Sequence, residues 1–179
     1  MSPGGGGRPA VVLIGAPGAG KTTVGTTLAQ RLGLGFRDTD ADVVASEGRE
    51  ISDIFVTDGE PAFRALEEAA VAAALTEHDG VLALGGGAVL SPATQALLAD
   101  HRVVHLEVGL AGAASRVGLN ASRPLLVGNV RGRMKALLDE RRPIYTRLAT
   151  WTVGTDAHTA DEVVDLVLQL LEETHEAQG

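Results

Sequence analysis

The sequence of 179 residues has no cysteine and few aromatic residues, and each shortage excludes a class of protein. Without cysteine the chain has no disulfide, no thiolate metal site and no cysteine nucleophile. Aromatic residues make up 3% of the chain, so a core must be built from alanine, valine and leucine. An apolar fraction of 45% is ordinary for a globular protein, and the length of 179 residues predicts one domain.

Basic charge is also scarce, since 15 lysine and arginine residues stand against 23 aspartate and glutamate residues, a net charge of −8. Proteins that bind nucleic-acid phosphates usually carry a basic surplus, so we expect no nucleic-acid partner. No apolar run approaches the ~20 residues that cross a bilayer, and the first residues lack the apolar part of a signal peptide. We therefore expect a soluble, cytoplasmic protein with no membrane partner.

Short apolar runs alternate with helical patterns along the chain. The runs indicate strands at residues 10–14, 35–38, 81–84, 103–108 and 151–153. Helices are predicted at residues 21–32, 41–48, 52–58, 61–77, 91–100, 109–117, 130–148 and 159–173. Five buried strands separated by helices predict an α/β three-layer sandwich with a parallel sheet.

Two segments fall outside this alternation. Residues 1–9 are glycine-rich and bury no apolar surface, so they indicate a disordered leader, or a remnant of cloning, before a single domain at 10–179. Residues 118–129 are dense in turn-forming residues and lie between two predicted helices. We expect this second segment to act as a lid that closes over a ligand.

Residues 15–22, Gly-Ala-Pro-Gly-Ala-Gly-Lys-Thr, match G-x-x-x-x-G-K-[ST] between a predicted strand and a predicted helix. Glycines let successive N–H groups point at phosphate oxygens, and the helix adds the positive end of its dipole. Lys21 would reach the β- and γ-phosphates, and the Thr22 hydroxyl would ligate Mg²⁺. The motif predicts a nucleoside triphosphate site. Because no Asn-Lys-x-Asp motif of GTPases is present, a small-molecule kinase is the economical interpretation.

Two further segments at strand ends are candidates for binding the phosphate acceptor. In Asp38-Thr39-Asp40, alternate residues of an extended segment would project to one side. One carboxylate could then support Mg²⁺ while the other held a hydroxyl and took its proton, unless the triplet is only a turn with a helix cap. Gly85-Gly86-Gly87 indicates backbone that a ligand approaches closely, or else a tight turn.

Four arginines could bind anions, although a solvated surface position is the alternative for each. Arg64 lies near the start of a predicted helix, where the dipole favours an anion rather than a cation. Arg123 lies in the predicted lid and could reach a transferring phosphoryl group. Arg141 and Arg142 lie within or near the end of a helix, and paired guanidinium groups would suit a carboxylate. The histidines lack metal-ligand spacing and are expected on the surface or in loops: His78, His101, His105, His158 and His175.

Six segments occur in a fixed order along the chain: GAPGAGKTT, DTD, IFVTDGEPAFRALE, LALGGGAV, SRPLL and RRPIY. Together, from about residue 11 to 167, they resemble the shikimate kinase family. The resemblance implies the fold of nucleoside-monophosphate-kinase-like P-loop proteins, with a five-stranded parallel sheet and a helical lid. It also implies transfer of the γ-phosphoryl group of ATP to the 3-hydroxyl of shikimate with Mg²⁺, on the route to chorismate and aromatic amino acids.

The resemblance further implies a role for individual residues. The implied ATP-binding residues are Gly18, Ala19, Gly20, Lys21, Thr22, Thr23, Arg116 against the adenine and Arg123 in the lid. The implied shikimate-binding residues are Asp40, Arg64, Gly85, Gly86, Gly87 and Arg141, with both arginines on the carboxylate. Thr22, and Asp38 through water, would hold Mg²⁺. Asp40, Lys21 and Arg123 would be the catalytic residues.

The sequence departs from the family pattern at two positions. Thr22 replaces the usual serine and keeps the hydroxyl, whereas His158 is a weaker substitute for a basic residue near the adenine. Two other functions stay open, a kinase of another hydroxy acid such as gluconate and a silent nucleotide-binding regulator. Asp40, Arg64 and Arg141 argue against the regulator, because it needs no acceptor pocket. We expect the protein to act as a monomer on two small molecules, ATP and shikimate.

Overall fold

A single parallel sheet forms the centre of the protein, whose computed structural model describes residues 7–113 and 130–179. Its strands are β1 (Val11–Ile14), β2 (Phe36–Asp38), β3 (Val81–Ala83), β4 (Val103–Glu107) and β5 (Trp151–Gly154). They lie in the order β2-β3-β1-β4-β5, and Val12 of β1 is in register with Leu82 and Val103. The predicted five-stranded parallel sheet is confirmed.

Helices cover both faces of this sheet. They are α1 (Lys21–Leu32), α2 (Thr39–Glu47), α3 (Ile51–Asp58), α4 (Glu60–Glu77), α5 (Pro92–Leu98), α6 (Val130–Leu148) and α7 (Ala160–Ala177), with a 3₁₀ turn at Ala88–Leu90. Crossovers between parallel strands are right-handed, and α1 crosses in the opposite direction to α4, α5 and α6. It therefore lies on the opposite face, where α7 packs against it. The predicted three layers are confirmed.

The core is aliphatic, as the low aromatic content requires. All four residues of β1 are buried, and most of the surrounding core residues are valine, leucine and alanine. A smaller cluster of Val43, Ile54 and Phe63 joins α2, α3 and α4. Each fully buried Val, Leu or Phe side chain contributes roughly 1.5–3 kcal/mol through removal from water, so the sheet is a rigid support for the loops at its edge.

Local signals explain where the helices begin and end. Gly33 adopts φ 67° and ends α1, because a left-handed residue closes the last turn. The Ser91 side chain caps α5, and Thr159 with Glu162 forms the predicted capping box of α7. Helix α7 continues to Ala177, four residues beyond its predicted end at residue 173.

One histidine lies where the sequence did not place it. His105 is a buried residue of β4, and its ring stacks on Tyr145 of α6 at 4.9 Å between centroids. The prediction of a surface or loop position is therefore wrong for this histidine. The reason is that the strand is covered on both faces, so its polar position is buried with the apolar ones.

Several expectations concern residues outside the described ranges. These are most of the leader, at residues 1–6, the lid at 118–129, and both Arg116 and Arg123. Within the described ranges, no helix is both long enough and apolar enough to cross a membrane.

Candidate active site

The phosphate loop, residues 15–22, connects β1 to α1 at the carboxyl edge of the sheet. Gly18 and Gly20 have φ of 84° and 89°, a region that side chains with a Cβ rarely adopt. Together with the first turn of α1, such a loop points N–H groups at one anion-sized space. The Lys21 ammonium donates to the carbonyl oxygens of Gly15 at 2.6 Å and Ala16 at 3.1 Å. This arrangement holds one positive charge against the loop.

Two oxygen ligands lie beside the loop. The Thr22 hydroxyl is 3.4 Å from Asp38 Oδ2, and Asp38 ends the edge strand β2, which β3 separates from β1. Burial raises the pKa of Asp38, as does the charge of Asp40, whereas Lys21 opposes the rise. These hard oxygen donors fit Mg²⁺, which keeps several waters and takes one or two protein ligands beside substrate phosphates. Within the described ranges, no group of three or more His, Cys, Asp or Glu side chains could hold a metal ion.

The Asp-Thr-Asp triplet is a helix start. Asp38 Oδ1 accepts a hydrogen bond from the Asp40 backbone N–H at 2.9 Å and so caps α2. The expectation that Asp38 and Asp40 project together from one extended segment is therefore wrong, because Thr39 and Asp40 are helical. The two carboxylates still lie at the same edge of the sheet. The cap turns the chain, and Asp40 then reaches the loop that follows β3.

That loop, residues 85–87, is called the glycine loop here, and its three residues are buried. A Cβ on Gly85 would lie 2.5 Å from Asp40 Oδ1, and one on Gly87 would lie 2.6 Å from Arg64 Cζ. A Cβ on Gly86 would lie 2.9 Å from Cδ of Pro17 in the phosphate loop. A Cβ at any of these three positions would therefore displace a neighbouring side chain. The glycines bring a carboxylate, a guanidinium and the phosphate loop together within three residues.

Arg64 is held by two carboxylates of its own helix. Its Nη1 donates to Glu67 Oε1 at 2.9 Å, and its Nη2 to Glu60 Oε1 at 3.4 Å. Glu67 is 4% exposed; burial raises its pKa and the charge of Asp40 adds to this, while Arg64 and Arg141 oppose the rise. The sequence-based interpretation missed Glu67. The spacing of residues 60, 64 and 67 was the available signal, since helix positions three and four apart are neighbours.

Arg141 is the second candidate ligand of an anion. It lies in α6, is 7% exposed and forms no ion pair within the described part of the chain. Its Nε also has no hydrogen-bond partner there. Its charge lowers the pKa of Glu67, which places it in the same electrostatic environment as Arg64. A buried guanidinium normally has a counter-anion, so this arrangement suits a negatively charged ligand. Arg142, in contrast, is exposed.

A cavity of about 250 Å³ lies on the other side of the phosphate loop, between α1 and the loop after β5. Gly20, Thr23, Thr155 and His158 line it. The His158 ring nitrogen is 3.6 Å from a carboxylate oxygen of Glu162, which would pair with it when the ring is protonated. The cavity adjoins the phosphate loop, where the base of a bound nucleotide could lie. The contact of His158 with adenine stays a prediction.

Comparison with known proteins identifies the family. The shikimate kinase family model matches residues 17–172. A shikimate kinase of Thermobifida fusca is 60% identical over 92% of this chain and 95% of the relative, and one of Mycobacterium avium is 51% identical over 93% and 95%.

Solved structures agree. The shikimate kinase of Acinetobacter baumannii in complex with shikimate has a TM-score of 0.89 and 33% identity, over 94% of each chain. That of Aquifex aeolicus has a TM-score of 0.80 and 30% identity, over 94% of this chain and 99% of the other. The family model and these relatives agree, and the chain belongs to the shikimate kinase family.

Proposed function

We propose that this protein transfers the γ-phosphoryl group of ATP to the 3-hydroxyl of shikimate, giving shikimate 3-phosphate and ADP. The observation that carries the proposal is the buried Arg141, which has no ion-pair partner in the described ranges. Like Arg64, it acts electrostatically on Glu67, and the glycine loop beside Arg64 also approaches a carboxylate and the phosphate loop. A small acid with hydroxyl groups matches this combination of charges.

The acceptor would be bound through both its carboxylate and its hydroxyl groups. Arg64 and Arg141 would hold the carboxylate, since guanidinium groups make charge-assisted hydrogen bonds with it. Asp40 would accept hydrogen bonds from the hydroxyls, and Gly86 would offer a backbone contact to the ring. The closeness of Gly86 to Pro17, where an added Cβ would lie 2.9 Å from Pro17 Cδ, supports this placement, because an acceptor at Gly86 would lie next to the phosphate loop.

The transfer itself relies on position and charge. The bond between the acceptor oxygen and the γ-phosphorus forms while the bond from that phosphorus to the β–γ bridging oxygen breaks. Lys21, the N–H groups of residues 18–23 and Arg123 from the predicted lid would stabilise the charge on the phosphoryl oxygens. Asp40 would take the hydroxyl proton. Mg²⁺ held by Thr22 and, through water, Asp38 would neutralise charge on the phosphates.

Residues beyond the phosphate loop would also contact ATP. Arg116 would lie against the adenine, and residues 118–129 would close over ATP. Both of the proposed substrates are small molecules, and the net charge of −8 disfavours binding to nucleic-acid phosphates. We propose a monomer that acts in the cytoplasm without a nucleic-acid partner.

A coupled ADP-release assay with shikimate and gluconate as acceptors tests the proposal. We expect turnover that depends on shikimate and on Mg²⁺, and we expect Asp40→Asn to abolish it while ATP still binds. Turnover with gluconate alone would replace the proposed acceptor. ATP binding without turnover on either acid would favour a silent nucleotide-binding regulator.

A further inference from the structure

The glycine loop is held on both sides by hydrogen bonds from buried side chains. The Gly85 backbone N–H donates to Thr39 Oγ1 at 3.2 Å, and the Tyr145 hydroxyl donates to the Gly86 carbonyl oxygen at 2.5 Å. Both side chains are buried. The two bonds therefore fix consecutive residues of the loop, one from α2 and one from α6.

Each of these anchors adjoins a residue that we assign to the acceptor. Thr39 immediately precedes Asp40 in α2, and Tyr145 lies one helical turn after Arg141 in α6. Helix α2 follows β2 and α6 precedes β5, and these strands are the two edges of the sheet. The glycine loop is thus tied to elements from both edges, one next to the carboxylate and one next to the guanidinium.

We propose that Thr39 and Tyr145 are positioning residues that make the glycine loop a fixed spacer between Asp40 and Arg141. The spacer sets the separation at which the site binds a hydroxyl and a carboxylate. It thereby selects rigid hydroxy acids of matching length. This inference rests on the proposed function, because it assumes that both groups bind the acceptor.

The hydroxyl groups, rather than the bulk of the side chains, carry this role. Phenylalanine at position 145 would keep the ring that stacks on His105 and would remove the hydroxyl that donates to Gly86. Valine at position 39 would keep the shape of threonine and remove the acceptor for Gly85. A buried backbone group that loses its partner shifts towards another one, so the loop is expected to move.

Steady-state kinetics of Tyr145→Phe and Thr39→Val test the inference. We expect each variant to raise the KM for shikimate roughly tenfold and to leave the KM for ATP within about twofold. Thr39→Ser, which retains the oxygen, should restore the KM for shikimate. The matched control is Thr150→Val, since Thr150 Oγ1 accepts from Val103 N–H at 3.0 Å at the amino edge of the sheet. It should leave both KM values unchanged.

Combination with Arg141→Lys separates positioning from general destabilisation. If Tyr145 acts through the spacing to Arg141, Tyr145→Phe should raise the KM for shikimate less than about threefold in the Arg141→Lys background. A full tenfold effect there, or equal rises in both KM values, would overturn the inference. So would unchanged KM values in both hydroxyl variants, which lie in different helices and test it independently. Lack of shikimate turnover in the unmodified enzyme would instead overturn the proposed function.

Discussion

Replacing Glu67 by glutamine removes the negative charge next to Arg64 and keeps the shape of the side chain at position 67. In the structure Glu67 Oε1 accepts from Arg64 Nη1 at 2.9 Å, and Glu67 is buried. Glutamine can still accept this hydrogen bond through its carbonyl oxygen. The variant therefore tests how much the charge of Glu67 contributes to holding the guanidinium in place.

The size of the effect follows from the strength of the hydrogen bond. Because Arg64 stays charged, its bond to glutamine remains charge-assisted, and the variant loses only the attraction between the two charges. The difference between the wild type and the variant exceeds the ~0.2–1 kcal/mol of exposed ion pairs, since Glu67 is buried. The Arg64 side chain is 24% exposed, so water compensates for part of the difference. The variant should therefore lose about 1 kcal/mol of binding free energy, which corresponds to a roughly fivefold weaker binding of the acceptor.

Steady-state kinetics measure this effect. We expect Glu67→Gln to raise the KM for shikimate about fivefold without changing the KM for ATP. Glu60→Gln is the matched control, because Glu60 lies 3.4 Å from Nη2 and is 47% exposed, and it should change the KM less than twofold. A lower KM for shikimate in Glu67→Gln would refute the reasoning, since Glu67 would then compete with the substrate for Arg64.

Two further substitutions give distinct results. His105→Phe tests how stability depends on pH. Burial, together with the charges of Lys21 and Arg142, lowers the pKa of His105 from 6.5 to about 4. Between pH 6.5 and 4 the unfolded chain protonates His105 while the folded protein does not. The unfolding free energy of the wild type should therefore fall by about 2 kcal/mol over this range. Urea titrations should show that His105→Phe lacks this fall. Gly87→Ala should displace the Arg64 guanidinium, which is the mobile end of a side chain, and raise the KM for shikimate with little change in Tm. Gly154→Ala, where a Cβ meets nothing within 4 Å, is its control; a large fall in Tm in Gly87→Ala alone would contradict this reasoning.

Local sequence patterns predicted the sheet and the phosphate loop, because each depends on neighbouring residues. Buried apolar runs mark the strands, and the glycines of residues 15–22 mark the loop after β1. The triplet at residues 38–40 is harder to interpret, since aspartate suits both a strand end and a helix cap. The helix cap is the structure found, and Thr39 and Asp40 belong to α2.

Contacts between distant parts of the chain explain which features could not be predicted from the sequence. Tyr145 and Gly86 are 59 residues apart, and the hydrogen bond between them exists only once α6 packs on the sheet. The burial of Arg141 without an ion-pair partner within the described ranges has the same origin, because its position in a polar helix predicts a solvated side chain. The roles of individual site residues therefore stay predictions.

The most direct measurement compares kcat/KM for shikimate and for its methyl ester, which keeps the ring and the hydroxyls but has no charge. Two guanidinium groups on one carboxylate contribute about 3 kcal/mol or more, so we expect the free acid to be preferred by at least about a hundredfold. Equal kcat/KM values for the acid and the ester would contradict a carboxylate site built from Arg64 and Arg141.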